Sequence, residues 1–340
     1  MKATIRDIAS LSGVSTATVD RVLNRRAGVK PTNRHKVLQA AKHLRYLTEE
    51  DSLTMPARPA RLEFFVPVGS NAFLAELCDQ IVSICDQLPL VHDCLIHRLD
   101  NSKPEHLIEA LDAVSLSTDG IGLVALDEPR VRAATTRLAS AGVSVVTIVS
   151  DLPSATRANY VGIDNAVAGR TAGQMMGMML NPDRPNVSLF VGSHKYRGHQ
   201  EREVGFRDVL LERAPWAQLG VPVETQDDAK IGYAEAARLL QTDQSIGGIY
   251  VAGGGRSGVI EAIADYACAT RPILFCHDLT EATRKALLDG LIDVVIDQNT
   301  RGLAEQSVIH LLGALAATDP FPVKKLIEPR IITRQNIPLV

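Results

Sequence analysis

Three observations predict an α/β chain with a small helical head and a two-lobed body of doubly wound parallel sheets. Residues 4–24, TIRDIASLSGVSTATVDRVLN, hold two short runs of helical periodicity around a Gly-containing turn. From residue 61 onward, apolar strand-like runs alternate with helical ones. Charge divides at the same place. Residues 1–48 carry ten basic and two acidic residues, a net +8; the whole chain is −3, which leaves −11 for residues 49–340.

In the head, Ile5, Ile8, Ala9 and Leu11 fit one face of a first helix, and Gly13 supplies the permissive backbone of the turn. Ser15 opens the second helix as its cap, and Val14, Val19, Val22 and Leu23 face the same small core. Thr16 and Ala17 stand at the N-terminus of that helix, with Arg21 one turn on and able to reach guanine or phosphate. A third helix is expected from about Pro31 to Leu47, its apolar face made by Val37, Leu38, Ala41, Leu44 and Tyr46. Pro31 suits the first helical position. A basic helix-turn-helix ahead of an acidic body makes DNA the first partner to expect.

In the body, strands are expected at 62–68, 91–97, 121–126, 143–149, 187–192, 247–252, 272–276 and 292–297. Helical periodicity occupies 72–87, 105–115, 129–141, 165–180, 200–213, 231–242, 257–268, 279–289 and 301–316. So many pairs exceed one open sheet, and the loop around Asn181 to Pro185 offers a division into two lobes. Two such lobes leave a cleft at the carboxyl ends of their strands, the usual seat of a small ligand.

Composition narrows the function classes. A hydrophobic content of 46% with 22% charged residues is that of a soluble globular chain, with no secretory core and no apolar run of spanning length. A cytoplasmic location without membrane contact is the expectation. The five cysteines, Cys78, Cys85, Cys94, Cys268 and Cys276, form no CxxC pair and are expected to be reduced and buried. The run AGGGRSG at 252–258 lacks a phosphate-loop lysine and dinucleotide spacing, and reads as a tight turn or a close backbone approach to a ligand at Gly253. No HExxH or GxSxG is present. No enzyme activity, cofactor or metal site is expected.

The head, continuing as NRRAGVKPTNRHKVLQAAKHLRYL, resembles the DNA-binding head of the lac repressor (LacI/GalR) family. The body resembles that family's periplasmic-binding-protein-like effector domain through VPVGSNAF, YVGIDNAVAGRTAG, EREVGF and IDQNTRGL. The resemblance implies a helix-turn-helix head at 1–48, a hinge or linker at 49–60 and an effector domain at 61–340. It divides that domain into an N-lobe at about 61–163 and 298–325 and a C-lobe at about 164–297 and 326–340. It also implies homodimers or tetramers on pseudo-palindromic operators, with a sugar, sugar alcohol or related metabolite as effector. A repressor is the leading expectation; an activator, a corepressor-dependent regulator or a sugar-binding protein without regulatory role are the alternatives.

Residue by residue, the resemblance assigns DNA contacts to Thr4, Ser15, Thr16, Ala17, Asp20, Arg21, Asn24 and Arg25. It assigns the effector to Ser70, Asn71 and Phe73 after the first strand, Arg202 ahead of Gly205, Asp278 after ILFCH and Gln298 in IDQN. Asp151 and Asp164, both past strand ends, rank below these, because Asp at such places often serves turns and caps. The stretch TEEDSLTMPARPARL departs from the family. Glu49, Glu50 and Asp51 would face phosphate, and Pro56 and Pro59 oppose a helix; Leu53 and Met55 are the side chains left for a minor-groove wedge. Asp20 replaces the family's serine, either to accept from a cytosine or to orient Arg21 or Arg25. Lys30 replaces the hydroxyl cap of the third helix.

Overall fold

The structure, a computed structural model, describes residues 4–23, 58–100, 104–266, 271–316 and 323–338, with single positions at 29, 33, 36–37, 40–41, 43–44, 46 and 56. The head and the body are separate compact units.

In the head, α1 (Ile5–Ser12) begins with a capping box: Thr4 accepts from the Asp7 N–H while the Asp7 carboxylate accepts from the Thr4 N–H. Gly13 closes the helix in the left-handed region, at φ +66°, its N–H bonded to the Ala9 carbonyl. The Ser15 hydroxyl accepts from the Thr18 N–H at 3.2 Å and caps α2 (Thr16–Leu23). Ile8, Val19, Val22, Val37, Ala40 and Ala41 form the buried core. Two expectations are corrected. Leu11 is 53% exposed and Tyr46 37% exposed. The buried partner of Ile8 on α1 is Ser12, one full turn on, whose hydroxyl donates to the Ile8 carbonyl at 2.6 Å. The described positions from 33 to 43 are helical; Leu38 lies outside the described residues.

The body holds two sheets with the same strand order. In the first, β1 (Ala60–Val66), β2 (Val91–Arg98), β3 (Gly120–Leu123), β4 (Ser144–Ile148), β5 (Asn159–Gly162) and β12 (Val323–Leu326) run β2-β1-β3-β4-β5-β12, all pairings parallel. In the second, β6 (Asn186–Val191), β7 (Gln218–Leu219), β8 (Val223–Glu224), β9 (Ile246–Val251), β10 (Ile273–His277), β11 (Val294–Asp297) and β13 (Arg330–Ile332) run β7-β6-β9-β10-β11-β13, with β8 also on β6 and only β13 antiparallel.

Helices cover both faces of each sheet, as parallel strands require. On the first sheet, α3 (Ala72–Gln87) packs Leu77 and Ile81 into one core with Leu303 and Val308 of α11 (Thr300–Ala316). On the other face, α4 (Pro104–Asp112) and α5 (Pro129–Ser140) bury Leu107, Leu111, Val131 and Leu138. On the second sheet, α6 (Asn165–Met179) and α7 (Arg197–Arg213) cover one face; α8 (Ala229–Thr242), α9 (Arg256–Asp265) and α10 (Glu281–Leu288) cover the other.

The Asn181–Pro185 loop does not divide the lobes: it joins α6 to β6 within the second. The chain passes between sheets after β5, after β11 and between β12 and β13, and the Ile327 N–H donates to the Gly162 carbonyl at 2.8 Å where the first and third passages meet. Both strand orders reverse direction beside their first strand, so the two switch points open toward one cleft. Among the described residues, Cys78, Cys85, Cys94 and Cys276 are free thiols; no helix is long and apolar enough to cross a membrane.

Candidate functional site

One wall of the cleft comes from the first lobe. After β1, Gly69 turns the chain at φ +46° into Asn71, whose side-chain oxygen caps α3 by accepting from the Phe73 N–H at 3.1 Å. The cap places Phe73, 2% exposed, on the cleft wall beside Leu74. Val124 lies past β3, and Val149 and Ser150 past β4. The Ser150 hydroxyl accepts from the Gly198 N–H of the other lobe at 3.3 Å.

The opposite wall carries the charge. Arg202, 3% exposed, points its Nε to the Asn165 side-chain oxygen at 2.8 Å and its Nη1 to the Ala252 carbonyl at 2.7 Å. It is held there by close helix contact: a Cβ on Gly169 of α6 would stand 2.1 Å from the Arg202 carbonyl oxygen. After β9, the Gly254 N–H donates to Asp227 Oδ1 at 2.6 Å, and a Cβ on Gly253 would stand 2.3 Å from the Gly192 nitrogen, so side chains are excluded there. Arg256 bonds the His277 carbonyl and pairs with Asp278 Oδ2, both at 3.0 Å, and reaches Asn71 of the other wall at 3.3 Å. Gln298, on the second passage between lobes, donates to Asp278 Oδ1 at 2.7 Å.

The space between the walls, counted together with the solvent it opens onto, is about 420 Å³. Two guanidiniums, Arg202 and Arg256, face two carboxylates, Asp227 and Asp278. Burial pushes the Asp278 carboxyl above its ordinary value, with Arg256 and Arg202 opposing. Burial also pushes His199 down to about 4 and His277 well below the usual imidazole range, so both rings are neutral at physiological pH. Among the described residues, three buried side-chain atoms have no hydrogen-bond partner: His277 Nδ1 and, on the cleft lining, the Tyr196 hydroxyl and the Gln298 side-chain oxygen. Such an array of donors and acceptors suits a small molecule rich in hydroxyls.

Of the residues singled out by sequence, Asn71, Phe73, Arg202, Gly253, Asp278 and Gln298 line the cleft. Ser70 sits outside the lining and bridges the lobes, its hydroxyl donating to the Asp227 carbonyl at 2.8 Å. Asp151 is not at the cleft: Arg157 holds it with two bonds of 2.6 and 2.7 Å, joined by Thr147 at 2.8 Å. Asp164 caps α6 through the Val167 N–H at 2.9 Å. Sequence reasoning missed Ser150, Tyr196, His199, Asp227 and Arg256. For Arg256 a signal existed, since it directly follows the Gly253–Gly255 run read as a close approach.

On the head, Thr16, Ala17 and Arg21 are exposed along one side of α2, with Asp20 half-buried among them. Thr4 is exposed and engaged with Asp7. Asn24, Arg25, Leu53 and Met55 lie outside the described residues.

Comparison with known proteins matches residues 62–318 to the periplasmic binding protein domain and residues 4–49 to bacterial regulatory proteins of the lacI family. The chain is 25% identical over 245 residues to the HTH-type transcriptional regulator DegA of Bacillus subtilis, covering 71% of this chain and 70% of that one. Among solved structures, a solute-binding protein from Burkholderia graminis in complex with D-arabinose superimposes with a TM-score of 0.76 at 21% identity, over 83% of this chain and 98% of that one. The glucose-galactose binding protein GanP from Geobacillus stearothermophilus does so with a TM-score of 0.74 at 20% identity, over 83% and 100%. At these identities the two structures establish a shared fold.

Proposed function

The chain belongs to the periplasmic binding protein domain family and carries a lacI-family regulatory head, and on that premise we propose that it is a cytoplasmic repressor whose operator affinity is set by a sugar or sugar alcohol held between its lobes. It is a DNA-binding transcriptional regulator with a ligand-binding domain. The observation that carries the finer reading is the cleft itself, where Arg202, Asp278, Gln298 and Asn71 converge from both walls. The sugars named with the structural neighbours support that ligand class.

Control follows from linkage. A ligand that binds one closure state of the lobes better than another biases that state, and in a homodimer the bias alters how two heads address a pseudo-palindromic operator. A coupling of about 1–3 kcal/mol changes operator affinity on the order of 5–150-fold. Thr16, Ala17 and Arg21, with Asp20 beside them, are the proposed base-reading group, and the acidic, Pro-containing linker gives them a larger share of the specificity.

The test separates the two halves. Arg202→Ala and Asp278→Ala are expected to abolish the ligand response in operator-binding titrations while leaving ligand-free DNA binding within about threefold. Arg21→Ala is expected to weaken operator binding by about tenfold or more, for a loss of about 1–3 kcal/mol, with ligand affinity unchanged. Loss of DNA binding in both cleft variants overturns the proposal.

A further inference from the structure

We infer that Tyr196 is a specificity-determining residue of the cleft, donating its phenolic hydrogen to an oxygen of a polyhydroxylated ligand. The inference rests on the sugar reading above and adds to it a residue and a chemical requirement. Tyr196 is the last residue before α7 and belongs to the charged lobe by sequence, yet its ring packs into the hydrophobic core of the opposite lobe beside Phe73 and Leu74. It is 6% exposed and lines the cleft. It stands edge-on to His199 at 5.4 Å between ring centroids.

That hydroxyl has no hydrogen-bond partner among the described residues. The rest of the ring is already accounted for by apolar packing, so phenylalanine would serve the fold equally well or better. A buried hydroxyl left without a partner destabilises the ligand-free protein. The cost is recovered only when a ligand oxygen arrives. The other partnerless atom on the cleft wall, Gln298 Oε1, is an acceptor on the passage between lobes, so the cleft offers one open donor and one open acceptor. A ring with hydroxyls at both places satisfies the pair, whereas a deoxy edge leaves it buried and unmet.

Wild type and Tyr196→Phe are compared in two measurements. The first is the melting temperature without ligand, where the variant is expected to melt no lower than wild type. The second is calorimetric affinity for whichever of D-glucose, D-galactose, D-arabinose, D-allose and D-tagatose stabilises wild type. There the variant is expected to bind about tenfold more weakly, the worth of one hydrogen bond of about 1.4 kcal/mol. Equal affinity overturns the inference and leaves the sugar reading standing. A variant that melts several degrees lower without ligand also overturns it, because the hydroxyl is then a structural group. If none of the five sugars stabilises wild type, the sugar reading fails and this inference fails with it.

Discussion

Past the fourth strand of each parallel set, β4 in one lobe and β10 in the other, the chain turns through a residue other than glycine with positive φ: Val149 and Asp278, both at +65°. The turns are wired alike. The Val149 N–H donates to the Val161 carbonyl on the neighbouring strand, and the Asp278 N–H to the Ile296 carbonyl on its own neighbour, each at 3.0 Å. The side chains differ. Val149 packs against the apolar core, while Asp278 reaches Arg256 and Gln298. The contrast repeats past the third strand, with Val124 in one lobe and Gly253, Gly254 and Arg256 in the other. One backbone plan therefore carries two chemistries. The charged wall offers hydrogen-bonding groups, and the apolar wall keeps water from them, a setting in which such bonds are stronger.

Asp151 and Asp278 are the buried carboxylates beside the two turns, and the largest effect expected separates them. Burial alone would raise the Asp151 carboxyl, but the Arg157 bonds and charge, with Thr147 and Lys324, hold it below the ordinary value. Removing one partner of a buried ion pair costs about 3–5 kcal/mol, so Asp151→Asn is expected to lose that much at pH 7 in urea unfolding while keeping its ligand response. A depressed carboxylate stabilises above its unfolded pKa and loses that contribution as pH falls through the folded pKa. The deficit of Asp151→Asn is therefore expected to shrink in acid. Asp278 has the opposite sign. Its raised pKa contributes stability present below the ordinary carboxylate range and lost as pH rises through the folded value. Loss of ligand response in Asp151→Asn at unchanged stability would break the comparison.

The sequence made the repeating β/α order legible because long apolar runs and amphipathic helices bury most of their surface locally. It concealed β5, Asn159–Gly162, whose four residues are too few for a period, and β12, Val323–Leu326, whose two central residues are lysines. In the cleft, Arg202, Asp278 and Gln298 are reached through the family resemblance carried by EREVGF, the residue past ILFCH, and IDQN. Asp227 is not: it follows the two-residue strand β8, and the chain reaches the cleft only because Gln226 and Asp227 both take positive φ, at 54° and 56°. A backbone turn of that kind leaves no hydrophobic pattern. Asp151 misled for the complementary reason, since its position after β4 matches that of a ligand residue while its partners, Arg157 and Lys324, come from outside the cleft.

The helix pairs that flank the two walls sharpen the contrast further. In the first lobe, α3 meets α11 through Leu77, Cys78, Leu303 and Ala304, ordinary side-chain packing. In the second, α6 meets α7 backbone to backbone, and added Cβ atoms on Gly173 and Gly205 would stand 2.6 Å from the Phe206 oxygen and 2.4 Å from the Ala166 oxygen. Gly169→Ala is expected to force the helices apart at a cost of about 2–3 kcal/mol in urea unfolding. Ligand affinity should fall with it, because the atom displaced is the Arg202 backbone itself.

The smallest effect expected lies at Val149. A β-branched residue in the left-handed region carries about 1–2 kcal/mol of backbone strain, and its half-buried side chain recovers part of that against the core. Val149→Gly removes both at once, so stability is expected to stay within about 1 kcal/mol of wild type, the cost of glycine's backbone freedom included. Ligand affinity should change by no more than about twofold, since the turn survives and no hydrogen bond to a ligand is lost. The measurement is paired urea unfolding and calorimetry. A drop in stability beyond about 3 kcal/mol, the range of large-to-small changes in a packed core, would mean that valine is chosen here for its packing, and the likeness between the turns at Val149 and Asp278 would then end at the backbone.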